Sequence, residues 1–185
     1  MQTDMYKDLL RINLKGFKYY KKSGFILASG RTSPFYFDIK MAMGNSQLLY
    51  EFCSQLNKKL ENYEEINSIG GIESGSIPIA SAFALYHSIV NNSNINLFYI
   101  RKMRHDHGTE KMIEGIMKPN AVLLEDVMTK GTSVRDAVKT AKDNQQKISL
   151  VVPIIFRGTP DDKAEVQKFV GAPIDPMFYE EDFID

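Results

Sequence analysis

Residues 122–133 read Val-Leu-Leu-Glu-Asp-Val-Met-Thr-Lys-Gly-Thr-Ser: an apolar run, two adjacent carboxylates, then a short polar turn. Val134, Arg135, Ala137 and Val138 follow with helical spacing. A buried strand, a polar turn and a helix in that order build a phosphate site. The turn presents backbone N–H groups and the helix N-terminus adds the positive end of its dipole. Thr129, Thr132 and Ser133 bring hydroxyls, and Gly131 lets the backbone approach an anion closely. The acidic pair Glu125 and Asp126 repels a phosphate, so it must face sugar hydroxyls or a cation. A ribose 5-phosphate meets both demands. The stretch lacks the Gly-x-x-x-x-Gly-Lys and Gly-x-Gly-x-x-Gly spacings of other nucleotide turns. The competing account is an ordinary strand–helix turn capped by Thr or Ser.

The rest of the chain is organised to either side. Residues 4–14 have helical spacing and Gly16 ends it. Phe25 to Leu27 and Ser33 to Asp38 read as two strands joined at Ser29, Gly30 and Arg31. In the second, alternation puts Tyr36 on the opposite face from Phe35 and Phe37, so at least one ring is free to stack. Residues 46–61 read as a helix, 68–72 as a strand, and Pro78 sits in the first turn of another helix. Between these last two, Glu73, Ser74, Gly75 and Ser76 form a small polar turn that resembles a second anion nest.

Residues 97–100 are a strand, and a charged loop follows it. Arg101, Lys102, Arg104, His105 and His107 crowd this loop, which is either solvated or a lid over a polyanion. After the helix that ends near Asp143, residues 148–156 are a buried strand closed by Arg157. An arginine at a strand's carboxyl end can pair bidentately with a carboxylate. The tail from Pro160 is acidic and carries little signal. Alternating strands and helices predict one α/β domain over residues 1–185 with a mostly parallel sheet flanked by helices.

Composition narrows the function. A chain of 185 residues with 43% hydrophobic content is long enough for a real core, and its zero formal charge gives no general affinity for nucleic acid or an anionic membrane. The single cysteine, Cys53, is predicted as buried packing and gives no disulfide framework. No apolar run approaches membrane-spanning length, and the polar start Met-Gln-Thr-Asp is unlike a secretory signal. A cytoplasmic protein is expected.

Taken together these residues resemble the type I phosphoribosyltransferases, whose signature is a hydrophobic strand, two acidic residues and a Thr-x-Gly-Thr/Ser turn. Within that family the chain is most similar to the orotate phosphoribosyltransferases. The narrower likeness rests on Ser29-Gly30-Arg31-Thr32-Ser33-Pro34-Phe35-Tyr36-Phe37, on Arg101-Lys102 with Asp106-His107-Gly108-Thr109, and on Ile113-Glu114-Gly115. The resemblance implies a Rossmann-like sheet under a small hood made by about residues 1–40 and 158–185. It implies an enzyme, a pentosyltransferase of pyrimidine biosynthesis. Such an enzyme moves ribose 5-phosphate from phosphoribosyl pyrophosphate to orotate, giving orotidine 5'-monophosphate and pyrophosphate.

Roles follow from the same resemblance. Val127, Met128, Thr129, Lys130, Gly131, Thr132 and Ser133 are expected to hold the 5-phosphate, and Glu125 and Asp126 the ribose hydroxyls. Arg101, Lys102, His105 and His107 are expected to serve pyrophosphate, beside the Ser74 and Gly75 nest. Tyr36, Phe37, Thr129 and Arg157 are expected beside orotate. The resemblance further implies Mg²⁺ held mainly through substrate, and a homodimer whose basic loop reaches the neighbouring subunit's site. Three positions depart from the family: Ala28 and His105 replace lysines, and Gly75 replaces a lysine found in some members. Transfer to another base, or a regulator that binds phosphoribosyl pyrophosphate without turnover, are the competing functions.

Overall fold

A single six-stranded sheet divides the apolar residues into two clusters, one on each face. The computed structural model describes residues 2–27, 30–63, 65–103 and 111–184, and in the first helix the side chains of residue 8 and of residue 10 onward. Helix α1 (Gln2–Lys15) leads into an antiparallel hairpin of β1 (Lys18–Ile26) and β2 (Thr32–Phe37). The single turn α2 (Ile39–Ala42) and the longer α3 (Ser46–Leu60) follow. Then come β3 (Ser68–Ile72), α4 (Ile77–Asn91), β4 (Asn96–Ile100) and β5 (Ile113–Gly115). The second half is β6 (Ala121–Met128), α5 (Thr132–Asp143), β7 (Ile148–Phe156), α6 (Pro160–Val170), β8 (Phe178–Tyr179) and a 3₁₀ turn (Glu180–Phe183).

The sheet runs β5-β4-β3-β6-β7-β8, parallel throughout except for β5, which pairs antiparallel with β4. Burial on both faces explains why β6 is a continuous apolar run. Its Val122 and Leu124 join Phe52 and Leu56 of α3 and Ile79 and Phe83 of α4. Its Ala121 and Leu123 alternate to the other face, against Val134 and Val138 of α5 and Val166 and Val170 of α6. Cys53 lies in the first cluster, where burial pushes its thiol up to about 12. Among the described residues no helix is long and apolar enough to cross a membrane.

Two differences from the sequence-based expectation have physical causes. The first strand begins at Lys18, well before Phe25, because residues 18–22 are a mostly exposed arm whose lysines carry no burial pattern. The tail holds α6, β8 and the 3₁₀ turn. Helix α6 starts on a reciprocal cap: Thr159 Oγ1 accepts from Asp162 N, and Asp162 Oδ2 accepts from Thr159 N. Hairpin and tail then meet, with Lys18 Nζ donating to Phe183 O at 2.6 Å and the Phe37 and Phe183 rings 5.1 Å apart.

This topology positions a site. From β3 the chain crosses to β4 on one side, and after β5 it returns to β6 on the other. The loops leaving the carboxyl ends of adjacent β3 and β6 therefore diverge, and the crevice between them is where open α/β sheets bind ligands.

Candidate active site

The loop after β6 supplies backbone donors. Gly131 has φ +69°, and a Cβ there would lie 2.6 Å from Val166 Cγ2, so both conformation and space require glycine. Gly131 is also the residue that starts α5, and among the described residues no side chain caps that helix. Thr132 and Ser133 therefore do not serve as caps, and their hydroxyls are left for other partners. Thr129, Gly131, Thr132 and Ser133 line a pocket of about 40 Å³ at the start of α5, where first-turn N–H groups have no intrahelical partner. Unpaired amides and the helix dipole together favour an anion there. Lys130 is exposed beside the turn and does not line the pocket.

The carboxylates stand next to it. Glu125 is 8% exposed, and its Oε2 accepts from Ser76 Oγ at 3.4 Å, across from β3. Burial, and then the neighbouring Asp126, push its pKa up to about 8; Lys102, the Ser76 hydrogen bond and Lys40 pull the other way. Asp126 is partly exposed, its Oδ1 accepting from Val127 N at 2.8 Å. The turn after β3, whose Glu73–Ser74 peptide is cis, presses Gly75 against this carboxylate. A Cβ on Gly75 would lie 2.1 Å from Asp126 Oδ2. Gly75→Ala is therefore expected to turn the Asp126 carboxylate aside. Turnover should fall roughly tenfold, about 1.4 kcal/mol in barrier, with little change in melting temperature. Wild-type kinetics in that variant, measured beside its thermal unfolding, would show that the Asp126 geometry does not matter.

Both groups open into a cleft of about 300 Å³ that also meets Tyr36, Phe37, Lys40, Lys102 and Arg157. Tyr36 is 44% exposed, its ring 5.6 Å from Phe25. Phe37 is 3% exposed and packs on Phe183 and on the Arg157 guanidinium, so it supports the floor rather than offering a free face. Arg157 is 4% exposed, and its Nε and Nη2 both donate to Glu180 Oε1, at 3.0 and 2.6 Å. That edge is occupied, which corrects the expectation of a bidentate pair with a ligand carboxylate.

The predicted cations divide. Lys102 lines the cleft, while its backbone N–H donates to Glu73 Oε2 at 3.1 Å. Arg101 pairs with Glu114 of β5 at 3.0 Å and lines an adjoining cavity of about 230 Å³, which Lys102 and Ser133 share. Its Nε is buried with no partner among the described residues. Ser74 is exposed and lines neither the cleft nor the cavity beside it. His105 and His107 fall outside the described residues. Ser33, Lys40, Ser76 and Glu180 also belong to the site; Ser33 and Ser76 lie in segments the sequence marks but without a role, and Lys40 and Glu180 carry no sequence signal. Lys40 sits in a four-residue helix with no periodic pattern, and Glu180 meets an arginine 23 residues away. Among the described residues no three metal-ligating side chains converge. Glu125 and Asp126 still suit a hard cation that takes its other ligands from phosphates and water.

No protein-family model matches the chain. Curated proteins do. The chain is 30% identical over 156 residues to the orotate phosphoribosyltransferase of Methanosarcina mazei, spanning 83% of this chain and 80% of that protein. It is 34% identical over 158 residues to that of Methanococcus maripaludis, spanning 82% and 81%. Among solved structures, the Mycobacterium tuberculosis H37Rv orotate phosphoribosyltransferase superposes with a TM-score of 0.77 at 20% identity, over 97% of this chain and 99% of that one. The adenine phosphoribosyltransferase of Saccharomyces cerevisiae gives 0.66 at 15% identity, over 94% and 99%, a likeness of fold alone.

Proposed function

The chain belongs to the orotate phosphoribosyltransferase family, and from that membership we propose how its residues carry the reaction. The enzyme transfers ribose 5-phosphate from phosphoribosyl pyrophosphate to orotate, giving orotidine 5'-monophosphate and pyrophosphate, a step of pyrimidine biosynthesis. The observation that carries this assignment is the uncapped start of α5 set beside Glu125 and Asp126 at the switch point of the sheet.

On this basis the 5-phosphate sits on the N–H groups and hydroxyls of Thr129, Gly131, Thr132 and Ser133. Asp126 and Glu125 accept hydrogen bonds from the ribose hydroxyls. As the bond from the anomeric carbon to pyrophosphate breaks, positive character grows on the sugar and negative charge on the leaving group. The carboxylates stabilise the first, and Lys102 with Lys40 lies near the second, so the site works by electrostatic preorganisation rather than covalent catalysis. Magnesium, when bound, supplies further neutralisation of pyrophosphate, and Asp126 and Glu125 are the residues placed to hold it. Tyr36 and Arg157 flank the base.

The test is an assay with labelled phosphoribosyl pyrophosphate, Mg²⁺ and a panel of bases. Orotate should be consumed in preference to the others. Turnover with a different base overturns the base assignment, and binding without turnover of any base indicates a regulator.

The proposal also includes a homodimer with shared sites. Exposed Tyr50, Leu85, Ile89 and Val90 on α3 and α4 give an apolar face for a second copy to cover. Mixing a His107→Ala variant with an Asp126→Asn variant should then restore activity through hybrids. With random exchange, half the dimers carry one intact site of two, about a quarter of wild-type activity. No recovery despite demonstrated subunit exchange counts against sharing.

A further inference from the structure

Arg157 joins three segments that are far apart in sequence. Its backbone N–H donates to Met128 O at 2.8 Å, extending the ladder between β6 and β7. Its side chain reaches the hairpin, where Nη2 donates to Ser33 Oγ at 2.8 Å and to Phe35 O at 3.1 Å. It also reaches the tail through the two bonds to Glu180 Oε1. Ser33 Oγ is itself held, because it accepts from Phe35 N at 3.2 Å. The plane of the guanidinium packs on Phe37, 5.1 Å from the ring centre.

These contacts use up all but one of the guanidinium nitrogens. Nε and Nη2 are committed to protein oxygens, and Nη1 has no partner among the described residues. Nη1 is not fully buried, and Arg157 lines the cleft, so this nitrogen is the one left for a ligand there. A guanidinium left to itself offers a carboxylate two parallel N–H bonds. This one can offer a ligand a single nitrogen, in an orientation set from behind.

We propose that Glu180 is a positioning residue for base recognition: with Ser33 it locks Arg157 so that Nη1 alone reads the carboxylate of the base. The proposal rests on the assignment of the cleft as the orotate site. Glu180 touches neither substrate nor reacting atoms and acts only through Arg157. A single oxygen of its carboxylate makes both bonds, so a glutamine can keep the geometry with a weaker, uncharged acceptor.

The test is steady-state kinetics of Glu180→Ala, Glu180→Gln and Ser33→Ala, with each substrate varied separately. Glu180→Ala is expected to raise KM for orotate about tenfold while leaving KM for phosphoribosyl pyrophosphate unchanged, as the loss of a charge-assisted bond implies. Glu180→Gln should recover most of that loss, and Ser33→Ala should raise KM for orotate roughly two- to threefold. In an Arg157→Ala background, Glu180→Ala should add nothing further. An unmoved KM for orotate, equal rises for both substrates, or a full extra loss in the Arg157→Ala background each overturn the proposal. Should Glu180→Ala fail to fold, Ser33→Ala and Glu180→Gln decide between the same outcomes. A wild-type protein that consumes no orotate overturns the underlying site assignment instead.

Discussion

Asp126→Asn should leave the fold intact and lower turnover by roughly ten- to a hundredfold, the effect of losing a charged hydrogen-bond acceptor worth about 1.5–3 kcal/mol. The fold should survive because Asp126 Oδ1 accepts from its neighbour, Val127 N, and an amide oxygen can accept that bond equally well. Turnover should not, because the negative charge is what meets the ribose hydroxyls and the positive character that grows on the sugar. Glu125→Gln should also lower activity, but less below about pH 8, where burial already keeps a proton on the wild-type carboxyl of the free enzyme. Wild-type turnover in both variants, with melting temperatures showing them folded, would mean that the acidic pair does not face the ribose.

The part of the fold that makes this site was legible because burial writes it directly. β6 is covered on both faces and so reads as a continuous apolar run, and its two carboxylates stand out where that run ends. Elements held only by pairing left no such trace. β5 has three residues and β8 two, and each exists because a longer neighbour, β4 or β7, offers it a ladder. Helix α6 does carry sequence signals, in a tail that is otherwise acidic and featureless: Thr159, Pro160 and Asp162 mark its start and Gly171, at φ +73°, its end.

Within the site, side chains that meet across long separations were the illegible ones. Ser76 reaches Glu125 from 49 residues away, and Ser33 reaches Arg157 across 124. Each serine lies in a segment the sequence marks, but a hydroxyl carries no pattern that names a partner so far along the chain. The position of Arg157 came from family likeness, but not its orientation, because the carboxylate that holds it belongs to a different segment. The same limit explains the bidentate expectation, which counted the donors of Arg157 without its internal partners.

Glu125 should make both stability and catalysis depend on pH near 8, in opposite senses. Its folded-state pKa of about 8 lies above the ordinary glutamate value, 4.5, so between these limits the folded protein binds a proton that the unfolded chain has lost. The neutral carboxyl thus favours the fold below about 4.5, and that advantage fades as pH rises and is gone above 8. Full ionisation of so buried a group carries a stability cost on the order of a few kcal/mol. Glu125→Gln removes the titration, so its melting temperature should climb relative to wild type between pH 5 and pH 9, by roughly 5–10 °C. A difference that stays flat across that range would show that Glu125 does not hold a proton at neutral pH. Catalysis asks for the other form, since only the carboxylate can favour positive charge on the sugar. In the free enzyme kcat/KM for phosphoribosyl pyrophosphate should therefore rise about tenfold from pH 7 to 9, and Glu125→Gln should flatten that limb. The groups that set its position are Asp126, which holds the proton on, and Lys102, Lys40 and the Ser76 hydroxyl, which help to release it. Lys102→Ala should accordingly push the rising limb to higher pH, and a bound magnesium ion should draw it to lower pH in the kcat profile.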